Sequence, residues 1–227
     1  MAKGGVRGHA RRLLALWTLL CLGAVSSAFA EDDGDFEYWA KASFRIPINE
    51  RWQFKLDERL TFGDEARRLD DHQTDYAFQY SGLPDWLGVG FGFKQQFEKE
   101  GDGWLVENRP LVNILLRTAI PGLLVVDRSR FEYRILEDEE NVWRYRNKIS
   151  VTPPVAFTPW KLAPYVSQEI FVAFNEENFN QHRVSGGFFV PLREHIRFEL
   201  FYIWKLNEEG DDWHDTNIVG SYVHFQF

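Results

Sequence analysis

The sequence predicts an all-β fold, an antiparallel transmembrane β-barrel of about 10–12 strands that follows an N-terminal signal peptide. Three observations carry this. The last nine residues alternate, with Phe227, Phe225, Val223, Ser221 and Val219 on one side and Gln226, His224, Tyr222 and Gly220 on the other. That period of two is a strand with one apolar and one polar face. The same alternation returns in segments of about ten residues, separated by turn signals, along the rest of the chain. Finally, 16% of the residues are aromatic although mean hydropathy is negative, and no stretch after residue 30 is apolar for the 18 residues that mark a membrane helix. A barrel whose strands are apolar on one face and polar on the other produces that combination.

The N-terminal region reads as an export signal. Lys3, Arg7, Arg11 and Arg12 precede an apolar run, 13–25, and Ala28, Phe29 and Ala30 form a small-x-small site before the acidic Glu31, Asp32 and Asp33. Cleavage is expected after Ala30, leaving 31–227 as a single barrel domain. The alternative, a membrane anchor, needs roughly 20 apolar residues, more than this run supplies. The only cysteine, Cys21, lies inside the run behind Leu19 and Leu20, where a lipoprotein site has a small residue. The remaining chain can form neither disulfides nor thiolate sites. Removing 1–30 takes four basic residues and no acidic one, so the formal charge moves from −8 to −12, with 22 basic residues against 34 acidic. No basic surplus remains to neutralise phosphates, so a nucleic-acid partner is not expected.

Taken in order, eleven segments follow. Segment 36–46 alternates Phe36, Tyr38, Ala40, Ala42, Phe44 and Ile46, then turns at Pro47 to Glu50. Segment 51–62 sets Trp52, Phe54, Leu56, Leu60 and Phe62 against Arg51, Gln53, Lys55, Asp57 and Arg59; Glu58 falls on the apolar side, and a bulge near Asp57 is expected to absorb it. A polar loop, 63–73, leads to segment 74–81 and the turn 82–85. Segment 86–97 places Gly88, Gly90 and Gly92 on its polar side, where they bend the strand or make room for bulky neighbours. Segments 104–118, 123–136 and 142–151 follow, then a Pro-rich connection and segments 164–174, 179–190 and 195–206 before the last strand.

Connections alternate between short turns with Pro, Gly or Asn and the acidic loops 63–73, 98–103, 137–141, 175–178 and 207–213. Outer-membrane barrels pair short periplasmic turns with external loops, so the acidic set is expected outside the cell. Trp52, Trp86, Trp104, Trp143, Trp204 and Trp213 lie near segment ends, as an aromatic girdle requires. Bacterial single-chain barrels have even strand numbers. The eleven segments therefore predict either ten barrel strands, with 36–46 inside the lumen or irregularly paired, or twelve with one undetected. Alternation alone does not say which face points inward, so a soluble sandwich or lipocalin-like barrel, apolar inside, remains the competing architecture.

In the membrane reading the polar register lines the lumen. Its expected charge network comprises Arg59, Glu107, Arg109, Arg130, Glu132, Arg134, Arg144, Arg146, Glu169 and Arg183, pairing across neighbouring strands. Such a lumen is either filled and rigid or a narrow pore in which arginines select anions. A hydrolase acting on lipid or peptide is the enzymatic alternative. Asp70, Asp71, His72 and Asp75 in one loop and Asp211, Asp212, His214 and Asp215 in another would supply an Asp–His pair if segment two closed on the last strand. No Gly-x-Ser-x-Gly, His-Glu-x-x-His or phosphate-loop pattern occurs, and no cofactor or metal site is expected.

The apolar last strand ending in Phe227, Phe225 and Val223 resembles the C-terminal strand of bacterial outer-membrane barrels. That resemblance implies an assembly signal, with outer-membrane lipids, the barrel assembly machinery and periplasmic chaperones as partners. A wider resemblance runs through Phe36 to Trp39, Asp57 to Arg59, Glu107 to Pro110, Ser129 to Arg134, Trp143 to Arg146, Pro164 to Phe171, and Asn180 to Arg183 ahead of Gly186 and Gly187. In this order they resemble an outer-membrane barrel family catalogued as domain of unknown function 2490. The resemblance implies the barrel and transfers no catalytic residue. The expected role is therefore a non-enzymatic outer-membrane barrel, structural or a narrow pore, with a soluble periplasmic barrel binding an apolar ligand as the remaining alternative.

Overall fold

The structure is a computed structural model that describes residues 35–120, 123–137, 140–153, 158–174, 178–209 and 212–227. The expected signal peptide, 1–30, lies outside the described residues. The described chain forms strands β1 (Asp35–Pro47), β2 (Trp52–Gly63), β3 (Arg68–Tyr80), β4 (Leu87–Glu100), β5 (Gly103–Ile120) and β6 (Leu123–Leu136). They continue with β7 (Val142–Thr152), β8 (Ala163–Ala173), β9 (Asn178–Arg193), β10 (Ile196–Glu209) and β11 (Asp212–Gln226).

Consecutive strands pair antiparallel all the way round, and β1 closes the barrel against β11 in parallel. Eleven strands correct both expected counts: β1 is neither inside the lumen nor supplemented by a twelfth. The reason is geometric. Sequential hairpins reverse direction at every step, so an odd number brings the first and last strands together pointing the same way. Parallel pairing still satisfies the backbone groups of both edges, which closure requires. Side chains reinforce the seam. The Tyr38 and Ser221 hydroxyls lie 2.6 Å apart, and the Phe44 and Phe225 rings stack with centroids 4.9 Å apart.

The strands tilt steeply. The hydrogen-bonded row Lys41, Arg59, Gln73, Gln96, Glu107 and Leu136 starts in the middle of β1 and reaches the last residue of β6. Several loops are shorter than the sequence suggests. β3 begins at Arg68 rather than residue 74, and β4 and β5 run to Glu100 and from Gly103. Polar residues there are compatible with strand because they find partners: Asp70 accepts from Arg68 on the same strand, and Asp71 accepts from Arg59 and Thr61 across the ladder. β10 and β11 likewise extend through most of the expected loop 207–213.

The apolar register faces out. Leu200 is 47% exposed, and Phe91, Val112, Phe188 and Tyr202 are also exposed, whereas the opposite register carries buried charge, Glu132 being 0% exposed. Glu58 follows the outward register without a bulge at Asp57, since Asp57 and Glu58 pair in sequence with Asp75 and Thr74; the register shift lies at Thr61/Phe62. Its carboxylate is held instead by His72 Nε2 at 3.0 Å and Thr74 Oγ1 at 2.9 Å.

Part of the lumen is packed with rings. One row of the ladder reads Tyr165, Gly187, Phe201, Gly220, Trp39, alternating aromatic and glycine across β8, β9, β10, β11 and β1. A Cβ on Gly220 would fall onto the Phe201 ring, and one on Gly187 would meet Leu200 O and Phe201. The glycines therefore let Phe201 lie along the wall, buried with Trp39, Tyr165, Ile203 and Ile218.

Candidate functional site: the charged lumen

Beside this aromatic wall the lumen is filled with charge, built from alternate residues of strands whose other face is apolar. Glu132 on β6 is its most buried carboxylate. It accepts from Arg144 Nη2 at 2.6 Å, Arg146 Nη1 at 2.9 Å and Arg130 Nη1 at 3.4 Å. Arg146 also donates to Glu169 at 2.8 Å, which accepts from Arg128 at 2.6 Å. Arg109 and Arg134 both hold Glu107, Arg134 Nε at 2.5 Å. Burying these charges is costly, and only multiple hydrogen bonds to each ion offset the loss of water.

Smaller groups complete the lining. Asp57 meets Lys41 at 2.7 Å, Lys55 at 2.6 Å and Ser43 Oγ at 2.6 Å. Glu37 pairs with Lys205 at 2.7 Å, and Glu199 accepts from Tyr165 Oη at 2.5 Å with His224 Nε2 at 2.6 Å.

Direct ladder neighbours are often of like charge. Asp57 faces Asp75, Lys94 faces Arg109, Arg128 faces Lys148, and Arg130 faces Arg146. Like charges directly opposite are destabilising. Compensation comes in part from elsewhere: Arg130 Nη1 passes β4 and β5 to reach Asp75 Oδ2 on β3 at 3.1 Å. Pairing across the ladder, expected from sequence, holds for Glu132 and Arg144 but is only part of the scheme.

All ten expected network residues lie on the lumen register, and nine of them make ion pairs; Arg183 is the exception. Its guanidinium instead stacks 4.7 Å from the Phe171 ring centre and 5.2 Å from that of Trp39. Lys41, Asp75, Lys94, Glu37 and Lys205 also belong to the lumen. Reading 63–73 as loop hid the start of β3 and with it the alternation that places Asp75 inward, while Lys94 shares the inward parity of Gly88, Gly90 and Gly92. On β11, Val223 and Phe225 lie on the outward register, Phe227 is exposed, and its N–H donates to Arg45 O at 3.1 Å.

The geometric premise of the Asp–His pair fails. β1 stands between β2 and β11, so His72 on β3 and His214 on β11 are separated by β1 and β2. Glu58, not an aspartate, engages His72, on the outer face. Among the described residues no group of three or more His, Cys, Asp or Glu is placed to hold a metal ion.

The model of a family described as protein of unknown function (DUF2490) matches residues 36–216. The chain belongs to the DUF2490 family. In this DUF2490 chain the match begins in β1 and ends at Thr216, early in β11, so it takes in β2 to β10 whole and stops before most of the β11 residues that form the seam. No curated protein matches the chain.

Proposed function

We propose that this DUF2490 protein is a non-enzymatic outer-membrane β-barrel, exported by a cleaved signal peptide, whose lumen is braced by internal ion pairs. The observation that carries the reading is its inverted polarity. Large apolar side chains such as Phe78, Phe91, Val112, Leu116, Val166 and Leu200 are exposed on the wall, while Asp57, Lys94, Glu107, Arg109, Glu132 and Glu169 are buried inside. Water is a poor solvent for such an exterior and lipid a good one. The shortest strands, β7 and β8, have 11 residues, enough for a tilted membrane strand at about 9–11 residues. Exposed tryptophans mark both ends, Trp86 and Trp160 at one, Trp104, Trp143 and Trp213 at the other. A soluble barrel for an apolar ligand calls for the opposite arrangement, and the charged lumen weighs against it.

Cell fractionation combined with heat-modifiable gel mobility tests the proposal. The expected result is a heat-modifiable species in the outer-membrane fraction, and recovery only in the soluble periplasm would overturn it. Planar-bilayer recording of refolded protein then separates a braced, sealed barrel, without conductance steps, from a narrow pore.

A further inference from the structure

One row of the outer wall breaks its apolar register. Glu58, Thr74, Gln95 and Asn108 are ladder neighbours across β2, β3, β4 and β5, and they share the outward parity of exposed Phe93 and Val112. Apolar rows border them on both sides. Leu56, Tyr76, Phe93 and Pro110 form one; Leu60, Phe97 and Val106, interrupted by His72, form the other. Asn108 stands four residues along β5 from Trp104, about 13 Å at the rise of a strand. In the outer-membrane reading, on which this inference rests, the row therefore lies inside the apolar band. Polar groups there are costly unless they are partnered, and they mark contacts.

The two halves of the row differ. Glu58 is engaged within its own wall, by His72 Nε2 at 3.0 Å and Thr74 Oγ1 at 2.9 Å. Gln95 and Asn108 make a single bond between them, Gln95 Nε2 donating to Asn108 Oδ1 at 3.2 Å. Among the described residues, Gln95 Oε1 and Asn108 Nδ2 have no partner. What remains is an acceptor on one strand beside a donor on the next, with the strands about 4.8 Å apart. Exchanging O and N in both amides leaves the same complement in the opposite order.

We propose that the β4–β5 wall is an interface for a second copy of this chain, centred on Gln95 and Asn108. A two-fold axis along the membrane normal, passing between the two strands, sets Asn108 of each copy against Gln95 of the other. The leftover donor and acceptor are then each used, once on either side of the axis. Lipid tails give apolar walls no reason to associate, so these amides, rather than the neighbouring Phe91, Phe93 and Val112, hold the copies together. A lipid headgroup does not reach this depth. An unrelated chain would have to supply a matching acceptor and donor at the same spacing, which a second copy supplies by symmetry.

The test combines disulfide crosslinking in cells with sedimentation of the purified barrel in neutrally buoyant detergent. In the full chain carrying Cys21→Ser, Val106→Cys, at the next outward residue beside Asn108, should give disulfide-linked dimers under mild oxidation. Leu200→Cys, on β10 at the opposite side of the circuit, should not. The purified wild type should sediment as a dimer that dissociates on dilution. Replacing Gln95 and Asn108 together by leucine should weaken the dimer about tenfold or more, the loss of two symmetric bonds, while the barrel still folds. An outer-membrane barrel that sediments as a monomer at every concentration overturns the interface and leaves the outer-membrane reading standing. So does crosslinking as ready at Leu200→Cys as at Val106→Cys, or linkage of Val106→Cys only to a different protein. A dimer of undiminished strength in the leucine variant overturns it too, and if that variant does not fold the crosslinks and wild-type sedimentation decide. Recovery of the barrel only in the soluble periplasm overturns both readings, since water then satisfies the amides.

Discussion

Arg130 and Asp75 meet in the lumen, Nη1 to Oδ2 at 3.1 Å, from strands β6 and β3 that are not neighbours in the wall. Each faces a like charge on one adjoining strand, Arg146 and Asp57 respectively, and Asp75 faces Lys94 on the other. The contact relieves both repulsions and ties non-adjacent parts of the barrel together.

Glu132 is the most sensitive point of that interior. Glu132→Gln keeps the shape but leaves Arg130, Arg144 and Arg146 sharing one fewer negative charge, at a cost of about 3–5 kcal/mol for breaking a buried pair. Denaturant unfolding in detergent micelles measures it. A loss well under about 1 kcal/mol would show that water, rather than protein, compensates these arginines.

The aromatic–glycine row makes a packing prediction. Gly220→Ala places a methyl against the Phe201 ring and should destabilise the barrel by about 1–3 kcal/mol. Adding Phe201→Leu should recover part of the loss. Strictly additive effects in the double variant would contradict the direct contact.

The parallel seam can be trapped covalently. In a chain carrying Cys21→Ser, cysteines introduced at Ala42 and Val223, partners across β1 and β11, should crosslink under mild oxidation in the folded barrel. Failure of this pair to crosslink while the barrel remains folded would argue for a different closure.

The proposed lipid-facing wall makes a prediction about charge. Leu200→Arg, exposed in the middle stretch of β10, should cost about 2–4 kcal/mol in vesicles. An unchanged or improved stability is what a water-exposed wall would give.

The proposed outer-membrane location gives the outward aromatics of β11 an assembly role, which in vitro stability does not capture. Replacing Phe225 and Phe227 by serine should lower the amount of assembled barrel in cells while the purified protein still refolds in detergent. Wild-type levels in the outer membrane would remove the assembly role.

Much of the wall was legible in advance because a strand writes its two faces into alternate residues. Residues 123–136 were delimited as they stand in β6, and 142–151 to within one residue of β7. Where polar residues interrupt the alternation, the sequence conceals the strand. The start of β3 passed for a loop, since nothing local shows that Asp71 has Arg59 waiting on β2. Glu58 seemed to demand a bulge because its partners, His72 and Thr74, lie on the neighbouring strand.

By itself the sequence determined the all-β architecture, the members of the apolar and charged registers, and most strand boundaries, all of which depend on period-two patterning within a segment. Tertiary structure decided which register faces inward, the odd strand number with its parallel seam, and which charges meet. Closure brings together residues as distant as Asp75 and Arg130, and segment-level periodicity carries no record of contacts made across a lumen.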